Sequence, residues 1–437
     1  MSLDFRTEEQ SPRVDGDNPD LPLRKTSPRK VVITCVLLGL SALALFTAFL
    51  NRPPMPIFDE GQYIKAIRSI LSGTLAPLPE HPPLGKYLFA AGVAIAGDNP
   101  VGWRLASAVC GALTIVGVFL WTIVLLGDYS LALTAAGLTL FNNFLFVMAR
   151  TTMLDVPMFM FCIWGLAGFS AAVELDVGVH ARRILLLFSG LMFGLAGACK
   201  WTAIDVFAVV LAASFALLAC RKFRPAILNA NLARQARNLR EIRIPTLFLG
   251  LVLLPIVTYC LTYLPAFRAS HLTFSLTELA RMHARMWNLS KGVSGNRYLY
   301  SPWYSWPFQV SSQKLLSDLI GNFVVMWGGL LALGICVRRT WKHFASAETF
   351  VVLLYAANLA QWAVTPRAVT YYYYYFSAAM FLGVAIAVAL KGIPRPRIFG
   401  IRLAFIALSA AIVFFLYWYP RMAHLDAPWD CIFGCWG

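Results

Sequence analysis

"VGWRLASAVCGALTIVGVFLWTIVLL" (residues 101–126) is an almost unbroken apolar run, longer than the roughly 20 helical residues that cross the hydrocarbon core of a bilayer. It has company. The 437-residue chain is 59% hydrophobic and only 13% charged, with a mean hydropathy of +0.66. A soluble protein of this length could not enclose so much apolar surface, so lipid is its solvent. Hydropathy predicts about eleven membrane helices, at 31–50, 101–126, 130–148, 153–173, 184–200, 201–220, 244–264, 318–337, 348–365, 371–390 and 401–419. The fold class expected is therefore all-α, a polytopic membrane protein.

A formal net charge of +16 raises the question of nucleic acid. The Lys and Arg residues, however, cluster in short loops between apolar runs, which is a positive-inside pattern with some attraction to anionic lipid headgroups. "RKTSPRK" before the first run, the basic segment 221–243, "RRTWKH" (338–343) and "KGIPRPRIFGIR" (391–402) all fall on one side if the count is eleven. The N-terminus is then cytoplasmic and the C-terminus outside. Residues 1–30, rich in charge, Pro and Ser, are expected to be a disordered basic leader rather than a cleaved signal peptide. The bundle is expected over 31–420, with a short outer tail at 421–437. Cys431 and Cys435 in that tail read as a local disulfide ahead of a metal pair. The other seven cysteines lie in or beside apolar runs and read as small hydrophobes.

This topology pushes two long segments, 51–100 and 265–317, to the outer face. Loops of such length in a compact protein carry function, and both hold amphipathic stretches suited to the interface, "GQYIKAIRSILSG" and "LGKYLFAAGVAIAG". The first also carries two adjacent carboxylates, Asp59 and Glu60. On their own these read equally well as the wet start of a loop. Four further features gather on the same face. "EHPPLGKYL" (80–88) displays His81 and Lys86, and "ARTTMLDVP" (149–157) places Arg150 and Asp155 at an outer hinge. In "CKWT" (199–202) Lys200 either snorkels to headgroups or joins a binding site. "VTPRAVTYYYYYF" (364–376) brings Arg367 beside a tyrosine cluster. Fixed cations at a membrane boundary suit a lipid-linked phosphate leaving group, and a carboxylate suits a base acting on a hydroxyl. No P-loop or Rossmann glycine pattern is present, which points to a lipid-borne sugar donor.

In order along the chain, "FDE" with "HPPLGKYL", "ARTTMLD", "GLMFGLAGACKWT", "MHARMWN", "YLYSPWYSWPF", "GNFVVMWGGLLAL" and "PRAVTYYYYYF" resemble the protein O-mannosyltransferases, within the C-type glycosyltransferases that use polyprenyl-phosphate sugars. The resemblance implies inverting transfer of a sugar, mannose first, from a polyprenyl-phosphate carrier to a hydroxyl acceptor, Ser or Thr of proteins first. It implies Asp59 as base, with Glu60 shaping the acceptor site or the base's pKa. Lys86, Arg150 and Arg367 are assigned to the donor phosphate, while His81, Asp155, Lys200 and His283 complete the site. Trp303, Tyr304 and Trp306 are candidates for sugar stacking, beside the commoner use of such rings as interfacial anchors. No cofactor, metal or nucleic acid is expected; membrane lipids are. The location implied is the inner membrane, with the site on the periplasmic face.

Two departures stand out. Asn296-Arg297 replaces a second histidine common in relatives, and the tyrosine run lacks a histidine. No β-trefoil insert is accommodated, which favours a bacterial type. Asn288-Leu289-Ser290 is a glycosylation sequon by pattern only. A glycolipid or envelope-glycan acceptor, as in the aminoarabinose transferases, is the alternative within the class. A lipid or sugar transporter is the rival outside it, and would call for internal repeats and charges at the membrane midplane.

Overall fold

In a computed structural model, the structure describes residues 27–57, 59–74, 79–223, 230–291, 301–308, 319, 321–342, 346–365, 367, 369–393, 397–398 and 401–425. Most of the expected leader, the tail from 426 with Cys431 and Cys435, and Asn296-Arg297 lie outside the described residues.

The helices in chain order are α1 (Pro28–Thr47), α2 (Glu60–Leu71), α3 (Leu84–Ala96), α4 (Pro100–Leu126), α5 (Tyr129–Leu140), α6 (Asn143–Ala149), α7 (Asp155–Glu174) and α8 (Val179–Cys199). They continue as α9 (Ala203–Phe223), α10 (Ala230–Arg240), α11 (Ile244–Ala269), α12 (Leu276–Lys291), α13 (Phe323–Lys342), α14 (Ser346–Val364), α15 (Tyr372–Lys391) and α16 (Leu403–Met422). The extended structure described is one antiparallel ladder, β1 (Arg397–Ile398) with β2 (Ile401–Arg402). Among the described residues nine helices are long and apolar enough to cross a membrane, and ten if the bent α5–α6 pair is one span. The eleventh expected run is the shorter apolar α9. The chain is an integral membrane protein.

Local chemistry sets the boundaries. Asn99 caps α4 through Oδ1, accepting from the amides of Val101 and Gly102, with Pro100 pre-shaped for the first turn. Gly127 closes α4 at φ 63°, where a side chain would be strained. The run expected as one helix over 130–148 breaks instead, by 60°. Asn142 starts α6 as its N-cap, and the Phe141 carbonyl freed by the break accepts from Asn322 Nδ2 at 2.9 Å. A broken helix survives in lipid because a neighbour takes up the freed backbone group.

Helix α7 lies at the centre, packed between α4 and α8. All of the apolar window of α15 is buried and 89% of that of α7, against 17% for α1. The exposed Val32, Val36 and Leu40 of α1 thus face lipid. Close approach of α8 to α11 needs Gly190, because a Cβ there would lie 1.8 Å from the Gly250 carbonyl oxygen. Alternation of the spans brings the C-terminal ends of α1, α8 and α14 to the N-terminal ends of α4, α7, α9 and α15. Helices α2 and α3 cover this end.

Candidate active site

Asp59 and Glu60, adjacent in sequence, have opposite surroundings. Glu60 is fully buried. Its Oε1 accepts from Arg104 Nε at 2.9 Å, the Thr152 amide at 2.9 Å and Thr152 Oγ1 at 3.2 Å. Its Oε2 accepts from Arg104 Nη2 at 2.8 Å and the Ile57 amide at 2.9 Å. Arg104 is equally buried and also donates to the carbonyls of Leu50, Arg52, Pro53 and Met55. The pair therefore ties the segment between α1 and α2 to α4 and to the turn before α7. The expectation that Glu60 shapes the acceptor site gives way to a positioning role, since five donors already saturate its carboxylate. Asp59, one residue earlier, is half-buried and takes a single long hydrogen bond, 3.3 Å from the Tyr373 hydroxyl. Burial raises its pKa, opposed by that bond and by Lys200 and reinforced by Asp155.

Asp155, in the first turn of α7, accepts both contacts of the Lys200 ammonium, at 2.8 and 2.9 Å. Lys200 ends α8 and is buried, so it does not snorkel: it is held by Asp155 beneath the rings of Tyr373 and Tyr374, at 5.9 and 5.6 Å. Lys86, on the first turn of α3, is buried and donates to the His81 carbonyl at 3.0 Å. Burial pushes its pKa down to about 8, partly offset by Glu80. Burial and the nearby cations Lys200, Arg367 and Lys86 hold His81 well below the usual imidazole range, so it is neutral at physiological pH. Arg367 donates to the Tyr374 hydroxyl at 2.6 Å and to Ser290 Oγ on α12 at 3.0 Å. Its guanidinium lies over the rings of Trp362 and Tyr374. With five N–H donors in a rigid fork, it retains capacity for an anion. One end of the bundle thus gathers Asp59, His81, Lys86, Asp155, Lys200, Arg367 and the tyrosines of 371–375.

Arg150 does something else. Its guanidinium donates to the carbonyls of Phe46, Ala48 and Phe49 as α1 ends, where Phe49 adopts φ 54°. Such a role satisfies the carbonyls that a helix C-terminus leaves open. It replaces the expected one of binding the donor phosphate. The aromatics of residues 303–306 also divide. Trp306 is fully buried, donates to the Ser301 carbonyl at 3.0 Å and packs on Trp362, Tyr374 and Tyr375, so it is core rather than a sugar-stacking ring. Tyr304 is exposed and Trp303 half-buried.

His283, on α12, stacks on Trp201 at 5.8 Å. Its Nδ1 lies 2.6 Å from the Leu279 carbonyl and its Nε2 2.7 Å from the Tyr259 hydroxyl. Because a carbonyl only accepts, the proton of the neutral ring sits on Nδ1 and Tyr259 donates to Nε2. Tyr259 in turn accepts from Trp201 Nε1 at 2.9 Å. The histidine thus binds α12 to the α8–α9 junction, beside Lys200.

Comparison with known proteins places this arrangement. Residues 80–233 match the family model described as dolichyl-phosphate-mannose-protein mannosyltransferase. A polyprenol-phosphate-mannose–protein mannosyltransferase of Mycobacterium tuberculosis is 25% identical over 89% of this chain and 87% of its own length. A protein of the same name from Mycolicibacterium smegmatis is 24% identical, covering 88% of each chain. Over most of its length the chain is similar to bacterial protein mannosyltransferases that use polyprenol-phosphate mannose. Its fold is that of the Saccharomyces cerevisiae protein O-mannosyltransferase Pmt1-Pmt2 complex bound to the sugar donor. That likeness has a TM-score of 0.75 at 13% identity, over 92% of this chain and 91% of that one. ArnT from Cupriavidus metallidurans bound to undecaprenyl phosphate is more distant, with a TM-score of 0.58 at 16% identity over 89% of this chain and 70% of that one.

Within this site, sequence reasoning missed Arg104, Thr152, Tyr373 and Ser290. Arg104 carried a usable signal, since an arginine inside a membrane-spanning run has a partner. The other three are neutral polar residues whose roles come only from three-dimensional neighbours.

Proposed function

We propose that this chain transfers mannose from a polyprenyl-phosphate carrier to Ser or Thr hydroxyls of proteins, on the periplasmic face of the bacterial inner membrane, with Asp59 as general base. The observation that carries this reading is the state of Asp59: among the described residues it makes no ion pair, yet it sits against Tyr373 within reach of the Lys200 charge. A carboxylate of raised pKa, half open to solvent, is suited to take a proton from a hydroxyl. The acceptor oxygen attacks the anomeric carbon while the bond from that carbon to the phosphate oxygen breaks on the opposite face. Asp59 takes the hydroxyl proton, and the phosphate leaves on its polyprenyl chain. Arg367 and Lys86 supply N–H donors to the charge developing on that phosphate. Glu60 and Arg104 hold the loop that carries the base.

The test uses purified protein in detergent with labelled polyprenyl-phosphate mannose and a mixed pool of peptide and glycolipid acceptors. Labelled peptide from wild type, lost with Asp59→Asn, supports the reading. Label only in glycolipid moves the acceptor to that class. Translocation of labelled lipid in liposomes with no product from wild type refutes transfer.

A further inference from the structure

Beneath the reaction centre, α9 and α14 pack together and enclose four polar atoms that have no hydrogen-bond partner among the described residues: Thr202 Oγ1, Asp205 Oδ2, Asn358 Oδ1 and Trp362 Nε1. Asn358 is 1% exposed and Trp362 7%. Thr202, in the turn just before α9, lies three residues from Asp205 in its first turn, and Asn358 and Trp362 are four apart on one face of α14. Gln361 bridges them, bonding the Asp205 side chain and donating to the Asn358 carbonyl at 3.2 Å. Buried polar atoms are almost always satisfied, by protein, water or ligand, and four orphans on two facing helices form a pattern that asks for one.

The chemistry of the set is selective. A carboxylate oxygen, an amide oxygen, a hydroxyl and an indole N–H offer mostly acceptors with one fixed donor. A phosphate seated among these four atoms would find one N–H donor and two repelling oxygens, while a prenyl chain satisfies none of the four atoms. A polyol does satisfy them, because each of its hydroxyls donates and accepts. The position is equally specific. Thr202 follows Lys200 by two residues. The Trp362 ring stacks on Tyr374 at 4.5 Å and 4°, and the Arg367 guanidinium lies 5.9 Å from the Trp362 ring centre. A phosphate held at Arg367 therefore brings its attached sugar to the edge of this polar wall.

We propose that Thr202, Asp205, Asn358 and Trp362 form the subsite that reads the hydroxyls of the transferred sugar, an inference that rests on the transferase reading above. Asp205 and Asn358 accept from sugar hydroxyls, and the Trp362 indole donates to one. These residues set which sugar is taken; they do not move the proton of the reaction.

The experiment measures affinities of detergent-purified protein for polyprenyl-phosphate mannose and for unsubstituted polyprenyl phosphate. Their ratio isolates what the sugar contributes. Wild type is expected to prefer the mannosylated lipid by about tenfold or more, and Asp205→Asn and Trp362→Phe each to reduce that preference by about 3- to 10-fold, as the loss of one hydrogen bond gives. Phe keeps an aromatic ring to stack on Tyr374 while losing the N–H together with the rest of the five-membered ring, so retained affinity for the bare lipid controls for folding. Deoxymannosyl donors should reproduce the losses in wild type. The proposal is overturned if wild type shows no preference, if both variants keep it, or if affinity for both lipids falls equally, which would mark the cluster as a structural, water-filled one. Turnover is read in parallel. Failure of wild type to transfer any sugar refutes the transferase reading, whereas normal turnover with an unchanged preference in the variants refutes only the subsite.

Discussion

Replacing Asp59 by Asn and Glu60 by Gln should produce opposite phenotypes from adjacent positions. Glu60 holds both Arg104 contacts within a fully buried network of five accepted hydrogen bonds. A Gln can keep the oxygen that serves Arg104 Nε and Thr152, but its NH2 then faces Arg104 Nη2 and the Ile57 amide. Two accepted bonds disappear, and the guanidinium remains buried with no countercharge. Breaking such a pair from one side costs about 3–5 kcal/mol. Asp59 loses at most one 3.3 Å bond from Tyr373, and Asn retains an oxygen to receive it, so the stability change should stay under about 1 kcal/mol. Removing a general base lowers the rate by about 10²- to 10⁴-fold. Thermal unfolding midpoints in detergent and initial rates of sugar transfer read the two effects separately. A stable but inactive Glu60→Gln beside an active or unfolded Asp59→Asn would refute the division of labour drawn from the geometry.

Other consequences follow from the same contacts. Because burial raises the Asp59 pKa above its ordinary 3.8, the basic form is lost as pH falls through that raised value. The acid limb of kcat/KM should lie at correspondingly higher pH, and Asp155→Asn, which frees Lys200 to approach Asp59, should move it lower. The same raised pKa means that this group favours folding at acid pH and loses that contribution as pH rises through it. Lys86, with its pKa pushed down to about 8, should lose its charge above that pH. Donor affinity should then weaken on the alkaline side, and Lys86→Met should flatten the change. Arg150→Met removes three bonds to the end of α1 and should lower stability by about 2–4 kcal/mol with the donor KM unchanged. Trp306→Ala, in a fully buried position, should destabilise by about 3–5 kcal/mol, while Tyr304→Ala, 65% exposed, should leave the unfolding midpoint in place.

The membrane architecture was legible because hydropathy and helix length are one-dimensional signals. Each of the eleven apolar runs became a helix or, at 130–148, a bent pair whose break Asn142 and Asn322 explain. The gathering of Asp59, His81, Lys86, Asp155, Lys200 and Arg367 was legible too, since alternating spans bring these loops to one end. What could not be read was the use of each charge. An arginine at an outer hinge looks the same in sequence whether it meets a phosphate or, as Arg150 does, three carbonyls. Glu60 and Asp59 are likewise indistinguishable until Arg104, 44 residues away, is seen to claim one of them. Trp306 became core because Trp362 and the tyrosine helix, distant in sequence, close over it.

The arrangement has a logic that sorts its charges. Arg104 is neutralised by Glu60 and Lys200 by Asp155, so two cations near Asp59 are already paired. A cation bonded directly to Asp59 would depress its pKa and make it a weaker base. By holding Lys200 at 2.8 Å, Asp155 keeps that cation as a neighbour of Asp59 rather than its partner, and burial then sets the direction of the shift. Among the described residues Arg367 bonds the neutral hydroxyls of Tyr374 and Ser290, which leave its charge uncancelled. Asp59 bonds Tyr373 and Arg367 bonds the adjacent Tyr374, so in the proposed reaction the base and the guanidinium are joined to neighbouring tyrosines. Hydroxyl activation and phosphate departure need the two charges kept separate, with the sugar carried between them.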